Sequence, residues 1–161
     1  MDLKNDFTNA QINKPMPASA RVLGSLGLIP FVGLTSFMLF GVDPGVEVSL
    51  LLRTYSAIIL SFLGGVHWGI ATENSLSQNS NSIKLSWCLT LSVIPSLLGW
   101  IGLFAPELAG FYIIIFGFVL VLAIDLRIAK MHCVPDWYPR LRKPLTVTVV
   151  GCLVIASALK F

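Results

Sequence analysis

Five long apolar stretches take up most of this chain, at about residues 20–41, 51–72, 85–105, 108–128 and 145–159. Four of them match the roughly 20 apolar residues that a helix needs to cross a hydrocarbon core about 30 Å thick. The fifth is shorter and predicts a less tilted helix or a locally thinned bilayer. Hydrocarbon offers no water to backbone N–H and C=O groups, so a crossing segment of this length must satisfy them internally, as a helix does. The fold expected is all-α: a polytopic membrane protein, a bundle of five transmembrane helices. Residues 1–19 read as a polar cytoplasmic tail and 20–161 as a single transmembrane domain. Only 12% of the 161 residues are charged, about half the share of a soluble domain, and no hydrophilic stretch is long enough to fold alone.

Charge distribution sets the orientation. Lys4, Lys14, Arg21, Lys84, Arg127, Lys130, Arg140, Arg142 and Lys143 fall on the side of the N-terminus, and only Arg53 and Lys160 on the other. Cytoplasmic loops carry the excess of Lys and Arg, so the N-terminus is expected inside and the C-terminus outside, in a bacterial inner membrane. Asn79 then faces the cytoplasm, and Phe161, Asp43, Glu47 and Glu107 lie at the outer side. The polar start, with Asp2 and Asp6, fits neither a cleavable signal peptide nor a mitochondrial presequence, so the first span is expected to stay as an anchor. The formal charge of +3 gives no reason to expect nucleic acid as a partner. Expected partners are the lipid bilayer and a membrane-protein complex.

The connections differ in character. Gln78–Ser82 is rich in Asn and Ser, and Pro106 marks a tight antiparallel turn. Residues 131–144 carry three prolines with Trp137, Tyr138, Arg140, Arg142 and Lys143. Trp and Tyr favour the headgroup level and Lys and Arg favour anionic lipid there, so this segment reads as an interfacial anchor or a docking surface. Cys88, Cys133 and Cys152 form no C-x-x-C pair, and read as apolar fillers or free thiols. His67 and His132 are expected at different depths, which leaves no metal or haem ligand set and no cofactor. No hydrolase elbow or phosphate-cradling loop is present either, so the chain is not expected to be an enzyme.

Packing signals sit in the second and third spans. Ala57, Ser61, Gly65 and Gly69 recur every four residues, and Ser92, Pro95, Gly99 and Gly102 form a similar row. Small residues at that spacing let helix backbones approach closely in lipid. Leu26-Gly27-Leu28-Ile29-Pro30 also resembles Leu91-Ser92-Val93-Ile94-Pro95, either as a trace of duplication or as a chance likeness of proline-containing helices.

Two ionisable residues lie inside the hydrocarbon. If the second span centres near Phe62, His67 is ~8 Å inward of it, and Asp125 is ~10 Å inward of the centre of the fourth span. Ionisable groups at such depth are costly, face the bundle interior and pair. The simplest pair is His67 with Asp125, and Arg127 is a competing partner for the carboxylate. The pair is either a clasp between helices or a functional group, such as a proton relay or a substrate contact. Arg53, at the outer start of the second span, is expected to snorkel outward.

Three strings, Leu26-Gly27-Leu28-Ile29-Pro30-Phe31, Ser61-Phe62-Leu63-Gly64-Gly65-Val66-His67-Trp68-Gly69 and Pro135-Asp136-Trp137-Tyr138-Pro139-Arg140-Leu141-Arg142, resemble the transmembrane protein 69 family, a domain of unknown function (3429). The resemblance covers nearly all the chain after residue 20. It implies a small multi-pass membrane protein and brings no catalytic residues. The leading functional expectation is a non-enzymatic accessory or assembly subunit of a membrane complex. The alternative is a small transporter or proton/redox module using His67 and Asp125.

Overall fold

The computed structural model describes residues 15–41, 45–75, 82–131 and 134–160. The expectations for the tail before residue 15, for Asp43, Asn79, His132, Cys133 and Phe161 lie outside those residues. Among the described residues the chain forms helices α1 (Ala18–Leu26), α2 (Ile29–Leu39), α3 (Val48–Ser75), α4 (Ser82–Phe104), α5 (Glu107–Lys130) and α6 (Trp137–Ala158). They make five units long and apolar enough to cross a membrane, with α1 and α2 together forming the first. The surface matches that solvent, since Phe62, Trp100, Phe104 and Phe116 are all more than half exposed.

The first span is two helices where one was expected. Pro30 has no N–H to return to Leu26, so the ladder fails there. The chain makes a turn in which Gly27 N–H bonds the Leu23 carbonyl at 3.0 Å and Leu28 N–H the Ser25 carbonyl at 3.1 Å. Tyr55 on α3 donates its hydroxyl to the Gly27 carbonyl at 3.0 Å, giving that backbone group a partner at the break. In α4 the similar string ending in Pro95 stays within one continuous helix, and the Pro95 ring is fully buried.

The fifth span also departs from expectation. It starts at Trp137, not near Leu145, and runs 22 residues, about 33 Å at 1.5 Å per residue. No thinning of the bilayer is needed. Pro139 lies in its first turn, where backbone N–H groups have no intrahelical acceptor, so proline costs no hydrogen bond there.

The helices close into a ring, α2–α3–α4–α5–α6 and back to α2, with α3 and α5 also touching across it. The core sits inside that ring: Phe31 of α2 meets Tyr55 and Phe118 edge-on, at 5.0 and 6.0 Å between ring centroids, beside Leu60, Ile114, Val121 and Leu153. The tightest seams are at glycine. A Cβ on Gly64 would collide with the Ser92 carbonyl oxygen, and one on Gly99 would lie 3.0 Å from Ala57 Cα. Ala57 and Gly99 therefore do lie at the α3–α4 contact, and Pro95 is fully buried.

Ser61, Gly65 and Gly69 do not. All three are exposed, and a Cβ on Gly65 or Gly69 would meet nothing within 4 Å. A four-residue step overshoots the 3.6-residue turn by about 40°, so a row of fours drifts about 120° round the helix in three steps. The buried row of α3 alternates threes and fours instead: Leu60, Gly64, His67, Ala71.

Candidate functional site

The ion-paired side chains of the bundle gather at its two ends. At the end where α1 and α6 begin, here the basic end, Asp125 of α5 is completely buried. His67 Nε2 lies 2.8 Å from Asp125 Oδ1. Tyr138 donates its hydroxyl to the same oxygen at 2.9 Å, and Arg142 Nε donates to Oδ2 at 2.7 Å. The carboxylate thus ties α3, α5 and α6 together. His67 is 5% and Arg142 9% exposed, so the Arg142–Asp125 ion pair is nearly buried. An ionised carboxylate only accepts, so the His67 proton facing it belongs on Nε2, which leaves Nδ1 as the free ring nitrogen. That nitrogen has no partner among the described residues, and neither has Arg142 Nη2.

Sequence reasoning placed these residues unevenly. His67 and Asp125 meet, as their matching depths suggest. Arg127 is exposed, and the arginine on Asp125 is Arg142. Tyr138 and Arg142, expected in an interfacial anchor or docking segment, lie in the first turns of α6 and bond Asp125. Trp137 is half-buried beside Tyr138, with ring centroids 6.2 Å apart, and Arg140 is exposed. A signal was available. The buried row of α6 reads Arg142, Thr146, Val149, Leu153, Ala156, and extended one turn upstream it reaches Tyr138. The three prolines concealed the helix that carries it.

At the opposite end the charges sit at a rim. Ser49 Oγ lies between two carboxylates, hydrogen-bonded to Glu107 and, at 3.2 Å, to Glu47. Lys160 Nζ reaches Glu47 at 2.8 Å and Glu107 at 3.1 Å. Hydrogen bonding to Lys160 holds the Glu47 carboxyl below its ordinary pKa, and the bond to Glu47 raises that of Lys160. Arg53 does not snorkel. It is 8% exposed, its Nη1 reaches the Gly102 and Ala105 carbonyls at 3.4 Å each, and its guanidinium lies 6.0 Å over the Phe111 ring. Those carbonyls end α4, where a cation is favoured by the helix dipole. Room for the side chain comes from Gly110, whose Cβ would lie 2.7 Å from Arg53 Nη1.

The chain matches, over residues 16–158, the model of a family described as a protein of unknown function (DUF3429). It is 38% identical to transmembrane protein 69 of Xenopus tropicalis over 144 residues, covering 88% of this chain and 54% of that protein. Its identity to transmembrane protein 69 of Mus musculus is 25% over 149 residues, covering 92% and 58%. The chain thus spans little more than half the length of these relatives. No solved structure matches it. With all of its described helices inside the matched region, the chain belongs to the DUF3429 family.

Proposed function

We propose that this multi-pass membrane protein is a non-enzymatic accessory or assembly subunit, which binds a transmembrane helix of a partner in the bacterial inner membrane with its own N-terminus in the cytoplasm. The observation that carries the reading is the outward row Ser61, Gly65, Gly69 on α3, which none of the described helices covers. In lipid, helices associate where small residues allow close backbone approach. The inward polar groups support a scaffold role, because Asp125 already accepts three hydrogen bonds and ties three helices. The test is capture of the tagged protein in mild detergent, with mass spectrometry of what comes with it, for the wild type and Gly65→Leu. Gly65 borders open space, so the leucine variant should fold and lose the partner. A folded variant that retains the same partner would remove the basis for this reading.

One observation favours a second reading, a proton or redox module: His67 Nδ1 is buried and unpartnered, as a group awaiting a donor would be. His67→Gln discriminates. Gln keeps an N–H for Asp125 but does not titrate near neutral pH as His does. A folded Gln variant that still forms its complex supports the scaffold, and a folded Gln variant that loses function supports the module.

A further inference from the structure

Between α1, α3 and α6 the bundle is not filled. A cavity of about 150 Å³ lies against Phe31, Ile59, Phe118 and Val149. A second, of about 320 Å³, lies nearer the basic end against Val66, Trp137 and Tyr138. Leu23, Gly24, Phe62, Leu63, Arg142 and Leu145 line both, so the two form one groove. Along α6 it extends from Trp137 to Val149, about 18 Å at the helical rise. Leu23 and Phe62 at its rim are 69% and 66% exposed, and α1 buries no residue at all. The groove therefore opens sideways, towards the bilayer.

Two nearly buried side chains line it with donors unused. Thr146, 3% exposed, has no partner for Oγ1. Arg142 holds Asp125 through Nε and has no partner for Nη2. They lie one turn apart on α6, where side chains leave the backbone about 6 Å from each other. A buried donor without an acceptor is destabilising, so the site calls for two acceptors. It does not call for a charge. Among the described residues Arg142 is the one charged side chain lining either cavity, and Asp125 neutralises it.

We propose that this groove binds a long-chain membrane quinone. One ring carbonyl accepts from Arg142 Nη2 and the other from Thr146 Oγ1, while the tail follows the apolar walls to the rim. A phospholipid would bring a phosphate, and a fatty acid a carboxylate, to cavities whose one charged lining side chain among the described residues is already paired with Asp125. A quinone carries two uncharged acceptors on opposite edges of a flat apolar ring. The assignment concerns binding of the oxidised form and stands apart from the accessory role, so each can fail alone.

The test titrates the purified full chain in detergent with decylubiquinone and follows thermal unfolding by circular dichroism. A saturable rise in Tm is expected, absent with dodecanol, palmitate or diolein. Thr146→Val keeps the shape and removes one donor. It should leave the ligand-free Tm unchanged or higher, because the hydroxyl is unpaired there, and weaken quinone binding about fivefold. Leu145→Trp should fill the groove and abolish the shift; if it fails to fold, Thr146→Val decides alone. A decylubiquinone effect no larger than that of dodecanol, or undiminished by Thr146→Val, would overturn the proposal. So would a stronger effect of palmitate or diolein, which would assign the groove to a lipid.

Discussion

The two ends of the bundle hold similar chemical groups in different surroundings. At the basic end Asp125 is wholly buried and Arg142 nearly so, and each oxygen of the carboxylate has a donor on another helix. At the opposite end the side chains of Glu47 and Lys160 are 63% and 32% exposed, and the ion pairs lie at a rim. The same pairing of charges does different work in the two places. Breaking a shielded pair leaves a charge in a low dielectric, whereas breaking an exposed pair returns both groups to water. The first joins three helices through buried groups, and the second decorates helix ends whose dipoles already favour those charges.

This contrast can be broken. Asp125→Ala strands Arg142 and should cost about 3–5 kcal/mol, seen as loss of monodisperse folded protein in detergent. Asp125→Leu with Arg142→Met, which removes both charges, should recover much of that loss. If it does not, the cluster matters for more than charge balance. Next in size is the packing test. Gly64→Leu drives a side chain into the Ser92 carbonyl and should cost about 1–3 kcal/mol or more, while Gly65→Leu, facing open space, should change the Tm little. Equal effects of the two would mean that the outward face of α3 has been misplaced.

Arg53→Met tests whether the opposite end has any buried component. It removes hydrogen bonds to two carbonyls and the contact with Phe111, and a loss of about 1–2 kcal/mol in thermal or denaturant unfolding is expected. The smallest effect belongs to Lys160→Met. Glu47 has a lowered pKa, so its contribution is present above the ordinary carboxylate value and disappears as pH falls through the depressed one. Lys160 has a raised pKa, so its contribution is full below the ordinary lysine value and disappears as pH rises through the raised one. The difference in Tm between wild type and Lys160→Met should be small and flat near neutral pH. It should shrink at both extremes and in high salt, which screens exposed pairs. A large, salt-insensitive difference would show that this rim is shielded.

Much of the fold was legible in the sequence, because lipid leaves few options. Length and apolarity mark each span, and equal depth points His67 at Asp125. Three features were hidden for definite reasons. Pro30 and Pro95 occur in similar strings, yet only the first lies at a helix boundary, and nothing in the two strings themselves distinguishes them. The row from Ala57 to Gly69 looks like one face because its members are equally spaced, but equal spacing at four is a spiral. The prolines of residues 135–144 suggest a loop, although two of them fall within α6. That loop reading also hides Arg142, the counter-ion of the core.

The Asp125–Arg142 pairing has a consequence for how the protein is made. Arg142 lies 17 residues after Asp125 in the chain, and His67 lies 58 before it. When the fourth span leaves the ribosome, its cation has not yet entered the membrane. A bare carboxylate within the hydrocarbon would oppose insertion by up to about 3 kcal/mol, the cost at the centre of a lone helix. Released together as a hairpin, α5 and α6 enter with Asp125 and Arg142 already joined, and the waiting imidazole of α3 completes the set. The order of the chain thus favours delivery of α5 and α6 as one unit.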